Sequence, residues 1–520
     1  MELDRDSAIP ISRQLQDLIL SQVDRGELRP GDRLPTETEL CERLGVSRTT
    51  VRKALGTLTS QGLLVRQPGR GTFISVSASM AGPPIPEDLS IIVPDERWCW
   101  PLQRAAAVWN AERPEQPLRL SFQIVGLVDL RATLALAVAE GTAPDISLVD
   151  SAWVAEFAER GYLQPLGVID PDLKDAVAAD LFPPLRYQNS FRGDLWALQA
   201  EADCSVMWYR RDWFGAEGLM PPVTWTEWVE CAQHFQRTSV RKRYGLGDHS
   251  LAFAAGAAAG ETATYQLLPL LWAAGADVIS DGQVVLNSPA ACQAVEFVSD
   301  LVQKHRVAST EVTSVPWNGP SLAIAAGSVA MALGGTYEST MIRAAAGWDE
   351  ATFRATLGFV PIPAGVGGAQ TTLIGGMSYA IYRQCRRPQL AFQLLARALQ
   401  PEPLHDFCLQ TGQNPPTFSA AQALAADAEP FLHATAPLLE AARPRWWLPE
   451  YARVSYQVRE MFQNAVAGDL TASQAVARAA VVISGITGLP QWAGSLAVRF
   501  TTDKDVLPPV ASRGLERTSR

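Results

Sequence analysis

The chain has 520 residues, 47% hydrophobic and 19% charged, which excludes global disorder and supplies material for several cores. At roughly 100–200 residues per domain, three to five structural units are expected. The net charge of −10 excludes a uniformly cationic nucleic-acid coat, but it is unevenly spread. Residues 1–77 hold 11 Lys+Arg and 10 Asp+Glu, leaving 33 against 44 for the remainder, so two parts with different electrostatic tasks are expected.

Seven scattered cysteines without a CxxC pair argue against a disulfide framework or zinc site. Five dispersed histidines show no HExxH-like spacing, so neither metal nor cofactor is expected. The start MELDRDSAIPISRQ is acidic where an export signal needs basic then apolar residues, and no apolar run approaches 18 residues. The expectation is a cytoplasmic, soluble protein without a membrane partner.

Taken in chain order, Ile11, Leu15, Leu18, Ile19 and Val23 fall on one helical face, with Pro10 at its start and Gly26 at its end. Thr36 followed by Glu39 is a capping box for a second helix carrying Leu40 and Leu44. Gly45-Val46-Ser47 is a tight turn, and Ser47 can cap a third helix from Arg48 to about Ser60 with a buried stripe of Val51, Leu55 and Leu58. Gly62 closes it. A strand Leu63–Arg66, a turn Gln67–Gly71 and a strand Thr72–Ile74 then form a wing.

Two short helices joined by a three-residue turn predict a helix-turn-helix. Its second helix lies in the DNA major groove and reads bases with its N-terminal residues. Arg48, Thr49, Thr50, Arg52 and Lys53 are the candidate contacts, with Gly69 and Arg70 on the wing tip. Arginine can bond guanine through two nitrogens, and threonine can meet phosphate or a thymine methyl. The run LRPGDRLPTETELCERLGVSRTTVRKALGTLTSQGLLVRQPGRGTFI resembles the GntR-type winged-helix domain. The resemblance implies DNA contact at Arg48, Thr49, Thr50, Arg52 and Gly69. Thr38 departs from it, since many members carry Arg there.

Residues 75–86 are small, polar and Pro-rich and read as a linker, and residues 501–520 read as a loose tail. Between them the pattern alternates: strand Leu89–Val93, helix Trp98–Glu112, strand Leu118–Val125, helix Leu127–Glu140, strand Asp145–Val149 and helix Ala152–Arg160. Alternation predicts α/β layers with parallel strands and a ligand beyond their C-terminal ends. That singles out Asp150, Ser151 and Trp153, although Asp150 serves equally well as a helix cap.

Five stretches in order, from APDISLVDSAWVAEFAERGYLQPL through FRGDLWALQAEADCSVMWYRRDWFGAEGLMPPVTWTEWVECA to TGQNPP, resemble the extracellular solute-binding proteins that serve sugar-type ABC importers. The resemblance implies a two-lobed, type II periplasmic-binding-protein-like α/β domain that closes on ligand. The expected organisation is a winged helix at 1–76, a linker at 77–87 and an effector domain at 88–500. Its lobe one is about 88–200 and 363–412, and its lobe two about 203–360 and 413–500. Residues 501–520 form the tail.

Carried over, the cleft positions are Asp150, Ser151, Asp203, Tyr209, Tyr265, Thr336, Tyr337, Trp446 and Trp447, with Trp153, Trp272 and Trp317 as further aromatic candidates and Tyr451 nearby. Carboxylates accept a sugar's hydroxyl hydrogens, while aromatic rings cover its C–H face. Each Trp is an equally good core residue. One departure is Gln199-Ala200, where the family often has Pro, so the hinge and nearby wall are expected to differ.

Together these features predict a non-enzymatic, cytoplasmic regulator. It would bind double-stranded operator DNA as a homodimer and a small effector, a sugar or oligosaccharide, in the cleft. An importer component with a vestigial DNA-binding head is the alternative. An aminotransferase-like body with pyridoxal phosphate needs a Schiff-base lysine. Of the five lysines, Lys53 lies in the head and Lys504 in the tail, and Lys174, Lys242 and Lys304 lack Ser- and Gly-rich surroundings.

Overall fold

The computed structural model describes residues 10–24, 28–29, 31–60, 64–67, 71–75, 87–427 and 430–492. Gly26, Gly62, Gly69, Arg70, most of the linker and the tail lie outside the described residues. The described residues fall into two compact units. One holds those up to Leu148 together with Gly161–Gln164 and Ala380–Leu395; the other holds Val149–Arg160, Pro165–Tyr379 and those from Ala396 onward.

The first unit opens with α1 (Ile11–Asp24), α2 (Glu37–Leu44), α3 (Arg48–Ser60), β1 (Leu64–Gln67) and β2 (Gly71–Ile74). The capping box forms as read: Glu39 N–H donates to Thr36 Oγ1 at 3.3 Å, and Thr36 N–H donates to Glu39 Oε2 at 2.7 Å. Gly45 ends α2 at φ 64°, a left-handed conformation that suits a residue without a side chain. Ser47 Oγ then accepts from Thr50 N–H at 3.1 Å and starts α3. Leu15, Ile19, Leu40, Val51, Leu55, Leu58, Leu64 and Ile74 make one closed core. The wing pairs Leu64 with Ile74 and Gln67 with Gly71, antiparallel, and Leu34 N–H donates to Thr72 O at 2.9 Å, tying the turn before α2 to the wing.

The same unit continues as β3 (Glu87–Val93), α4 (Trp100–Glu112), β4 (Leu118–Ile124), α5 (Leu127–Glu140) and β5 (Ile146–Asp150), whose end passes into the second unit. β3 runs parallel to β4 from Glu87 opposite Leu118 to Val93 opposite Ile124, and parallel to β5 at Ile91 opposite Ile146. α4 buries Leu102, Ala105, Ala106 and Trp109, the stripe expected from their spacing. The predicted helix from Ala152 begins as a single 3-10 turn, Ser151–Trp153, because Asp150 Oδ1 caps Ala152 N–H at 2.9 Å before the α-helix Val154–Glu159 starts.

In the second unit the strand Asp203–Arg210 is buried along its whole length, its polar residues Asp203, Ser205 and Arg210 included. It pairs antiparallel with Met331–Gly335 and with Leu357–Val360, and Ile374–Gly375 joins it at Cys204 and Asp203. Helices Glu261–Ala273, Pro289–Gln303, Tyr451–Ala467 and Ala472–Thr487 contribute to one large apolar core. All seven cysteines are free; Cys41 and Cys292 are half-buried, and the other five are buried. No described helix is long and apolar enough to cross a membrane.

Candidate functional site

Two groups of side chains are the candidates. The first surrounds the start of α3. Arg48, Thr49, Arg52 and Lys53 are exposed there, while Thr50 is half-buried with its hydroxyl 2.8 Å from Ser47 Oγ. Arg48 and Arg52 keep 66% and 63% of their side-chain surface in solvent, as a base-reading role requires. Thr38 is exposed on α2.

The second group lies in the second unit around Arg445, whose side chain is 3% exposed. Its Nη2 donates to Asp150 Oδ1 at 3.0 Å and to Ser151 Oγ at 3.1 Å, and its Nη1 donates to Glu261 Oε1 at 3.2 Å. Glu261 also accepts from the Tyr451 hydroxyl and from Ser455 Oγ, the latter at 2.6 Å. Burial disfavours the Arg445 charge, but Asp150, Tyr451, Glu261 and Asp203 outweigh it and hold the guanidinium above its ordinary value.

Asp203 accepts from the Tyr265 hydroxyl at 2.5 Å. Burial pushes its carboxyl up to about 6; Tyr265 and Arg445 pull against this, and Asp150 adds to it. Tyr337 stands edge-on to Tyr265, ring centres 5.8 Å apart. Five expected residues, Asp150, Ser151, Asp203, Tyr265 and Tyr337, are thus brought to one polar neighbourhood. Arg445, Glu261 and Ser455 were not anticipated there.

The aromatic candidates divide. Trp272 and Trp446 both point their indole N–H at Asp277 Oδ1, at 3.2 and 3.1 Å, and Arg443 Nη2 reaches Asp277 Oδ2 at 2.7 Å. Arg443 also lies 4.4 Å from the Trp272 ring centre, so one face of that ring is covered. Trp447 stacks on Tyr187 at 4.5 Å and 7° and donates to Tyr187 O at 2.5 Å. Tyr209 packs edge-on to Phe214 within the apolar core. Trp153 is half-buried beside Phe157, and Trp317 is 41% exposed. Thr336 is buried and accepts from Cys204 N–H at 3.0 Å.

Beside it, Glu338 is fully buried and accepts from Gly335 N–H at 3.0 Å and Trp208 Nε1 at 3.3 Å. Burial pushes its carboxyl up to about 7 against the pull of these bonds. At the departure from the family pattern, Gln199 is fully buried. It accepts from Asn189 Nδ2 at 2.7 Å and Ser378 Oγ at 3.1 Å, and donates to Gly375 O at 3.3 Å. Proline could make none of these side-chain bonds. Among the described residues no group of three or more His, Cys, Asp and Glu side chains could hold a metal ion.

The family model of bacterial extracellular solute-binding proteins matches residues 101–403. The chain belongs to that family. Its N-terminus matches the bacterial regulatory proteins of the gntR family over residues 11–74, so this solute-binding member carries a winged-helix head.

The head is 47% identical over 75 residues to the HTH-type transcriptional repressor NagR of Bacillus subtilis (strain 168), covering 14% of this chain and 31% of that one. It is 51% identical over 65 residues to the mannosyl-D-glycerate transport/metabolism system repressor MngR of Escherichia coli (strain K12), covering 12% and 27%. The chain therefore spans only about a third of the length of such regulators. Among solved structures, maltose-bound MalE3 of T. maritima superimposes with TM-score 0.65 at 21% identity, covering 77% of this chain and 99% of that one. The GacH receptor of Streptomyces glaucescens GLA.O does so with TM-score 0.67 at 20%, covering 78% and 100%. The solute-binding member thus has an N-terminal winged helix followed by a two-lobed α/β fold over most of its length.

Proposed function

We propose that this protein is a cytoplasmic transcription regulator that binds operator DNA as a homodimer through α3 and the wing and is controlled by a carbohydrate held in the solute-binding part. One observation carries the reading: a head with exposed Arg48 and Arg52 and a body of the solute-binding family occur in one chain. The solved neighbours include a maltose-bound protein, which supports a carbohydrate effector. Hydroxyl-accepting carboxylates beside Tyr265, Tyr337 and Tyr451 suit a ligand with polar edges and an apolar face. We place the effector around Asp150, Ser151, Asp203, Tyr265 and Tyr337, joined by Arg445 and Glu261. In the same proposal the winged helix occupies residues 1–76 and the effector domain residues 88–500. The matched families are of regulatory and binding proteins, and no catalytic step is proposed.

Coupling requires the effector to bind the DNA-competent and DNA-incompetent states differently, by about 1–3 kcal/mol in typical cases. Two measurements test this. A carbohydrate panel in a thermal-shift screen should reveal a ligand that adds about 2.7 kcal/mol at one hundred times its dissociation constant. That ligand should change affinity for a duplex selected from a random library by at least fivefold. A chain that selects no duplex at low salt contradicts the proposal.

A further inference from the structure

Glu37 is the first residue of α2, and its carboxylate stands among three guanidinium groups. Arg52 Nε donates to Oε2 at 2.9 Å, Arg66 Nη2 donates to Oε1 at 3.0 Å, and Arg48 Nε lies 3.7 Å from Oε2. Two of these arginines come from α3 and one from β1 of the wing. One acid on the supporting helix therefore reaches both surfaces through which the head would meet DNA.

Stability does not explain the cluster. The three arginines keep 66%, 63% and 51% of their side-chain surface in solvent. Ion pairs this exposed add little to folding, and the head already has a closed apolar core. The cluster does order long side chains before any partner arrives, which lowers the entropy lost on binding. Holding Arg52 by Nε leaves its two terminal nitrogens as a fork for the N7 and O6 acceptors of a guanine. The negative charge also offsets part of a cationic surface whose attraction for phosphate is independent of sequence. Burial would raise the Glu37 carboxyl, but the bond from Arg52 and the charges of Arg52, Arg66 and Arg48 hold it below the usual carboxylate value, so it stays ionised near neutrality.

We propose that Glu37 is a positioning residue that sets the sequence specificity of the head, by aiming Arg48, Arg52 and Arg66 and by holding down their attraction for arbitrary phosphate. This rests on the DNA-binding reading above.

The test uses the full chain as wild type, E37A and E37Q. Each is put through selection on a randomised 30-base-pair duplex library. Each is then titrated against the wild-type-enriched duplex and a scrambled duplex across a salt series. E37A should bind the scrambled duplex several-fold more tightly, with a salt slope steeper by up to about one. Its enriched-to-scrambled affinity ratio should fall at least tenfold, with weaker guanine preference in its own selected set. E37Q retains an oxygen acceptor without the charge. It should keep much of the selected motif yet bind scrambled DNA more tightly.

A purely structural role would weaken both duplexes together, and that outcome overturns the proposal. A ratio within twofold of wild type in both variants also overturns it while leaving the DNA-binding reading intact. A wild type that enriches no sequence overturns that reading and the proposal with it.

Discussion

Replacing Arg445 with Met removes the cation that two carboxylates share. Breaking a fully buried ion pair costs about 3–5 kcal/mol, because the surviving charge is left without a partner. Here Asp150 and Glu261 keep 20% and 27% of their side-chain surface, so water screens part of the loss. Glu261 also retains the hydroxyls of Tyr451 and Ser455. R445M should therefore cost about 2–3 kcal/mol, and D150N, which leaves Arg445 its bond to Glu261, about 1–2 kcal/mol. Because the two residues touch, the double variant should fall short of the sum by about 1 kcal/mol or more. Urea unfolding of the full chain by Trp fluorescence reads this out well, since all 15 Trp lie beyond residue 97 and the head is silent. Strict additivity, or an R445M cost under about 0.5 kcal/mol, would refute the network as a coupled unit.

Three further outcomes are expected. R48A and R52A should each weaken binding to a selected duplex by about 1–3 kcal/mol while leaving the Trp unfolding curve unchanged, as titration and denaturation will show. The Glu338 and Asp203 carboxyls rise to about 7 and about 6 in the folded state from ordinary values of 4.5 and 3.8. Their stabilising effect is therefore fully present below those ordinary values and is lost as pH rises through the raised ones, at up to about 1.4 kcal/mol per pH unit for each group. E338Q should flatten the fall in urea midpoint between about pH 5 and 7. Gly376 sits at φ 122°, and an added Cβ would come within 2.4 Å of Gln199 Nε2 and 2.6 Å of Glu201 O. G376A should lose about 2 kcal/mol or more in the same unfolding assay, and a wild-type midpoint would contradict the strain argument.

The head was legible because its signals are local. Thr36 and Glu39 are three residues apart, Gly45 needs only its own backbone, and Val51, Leu55 and Leu58 repeat at helical spacing. β3 to β5 were legible for the same reason. The Arg445 network was not, since its bonds join residues 295 and 184 positions apart. No periodicity encodes such a pairing. Glu338 directly follows the candidates Thr336 and Tyr337, and an acid after Gly334-Gly335-Thr336-Tyr337 is the signal the sequence offers for it. Gln199 stands out in the sequence only as a departure, and the bonds that justify it involve Asn189, Ser378 and Gly375. For the Trp residues spacing does not separate core from cleft, and the structure adds that Trp272 and Trp447 each have one face covered by a neighbour.

The distribution of thiols has a practical consequence. Five cysteines are sealed in the interior, leaving Cys41 on the supporting helix of the head and Cys292 at the start of Pro289–Gln303 in the body. Under native conditions a maleimide dye should reach these two thiols ahead of the other five, and Cys292 the more slowly of the two, because burial raises its thiol above the ordinary value. Energy transfer between the two dyes, one on the head and one on the body, would then be a direct readout of the proposed response to a carbohydrate.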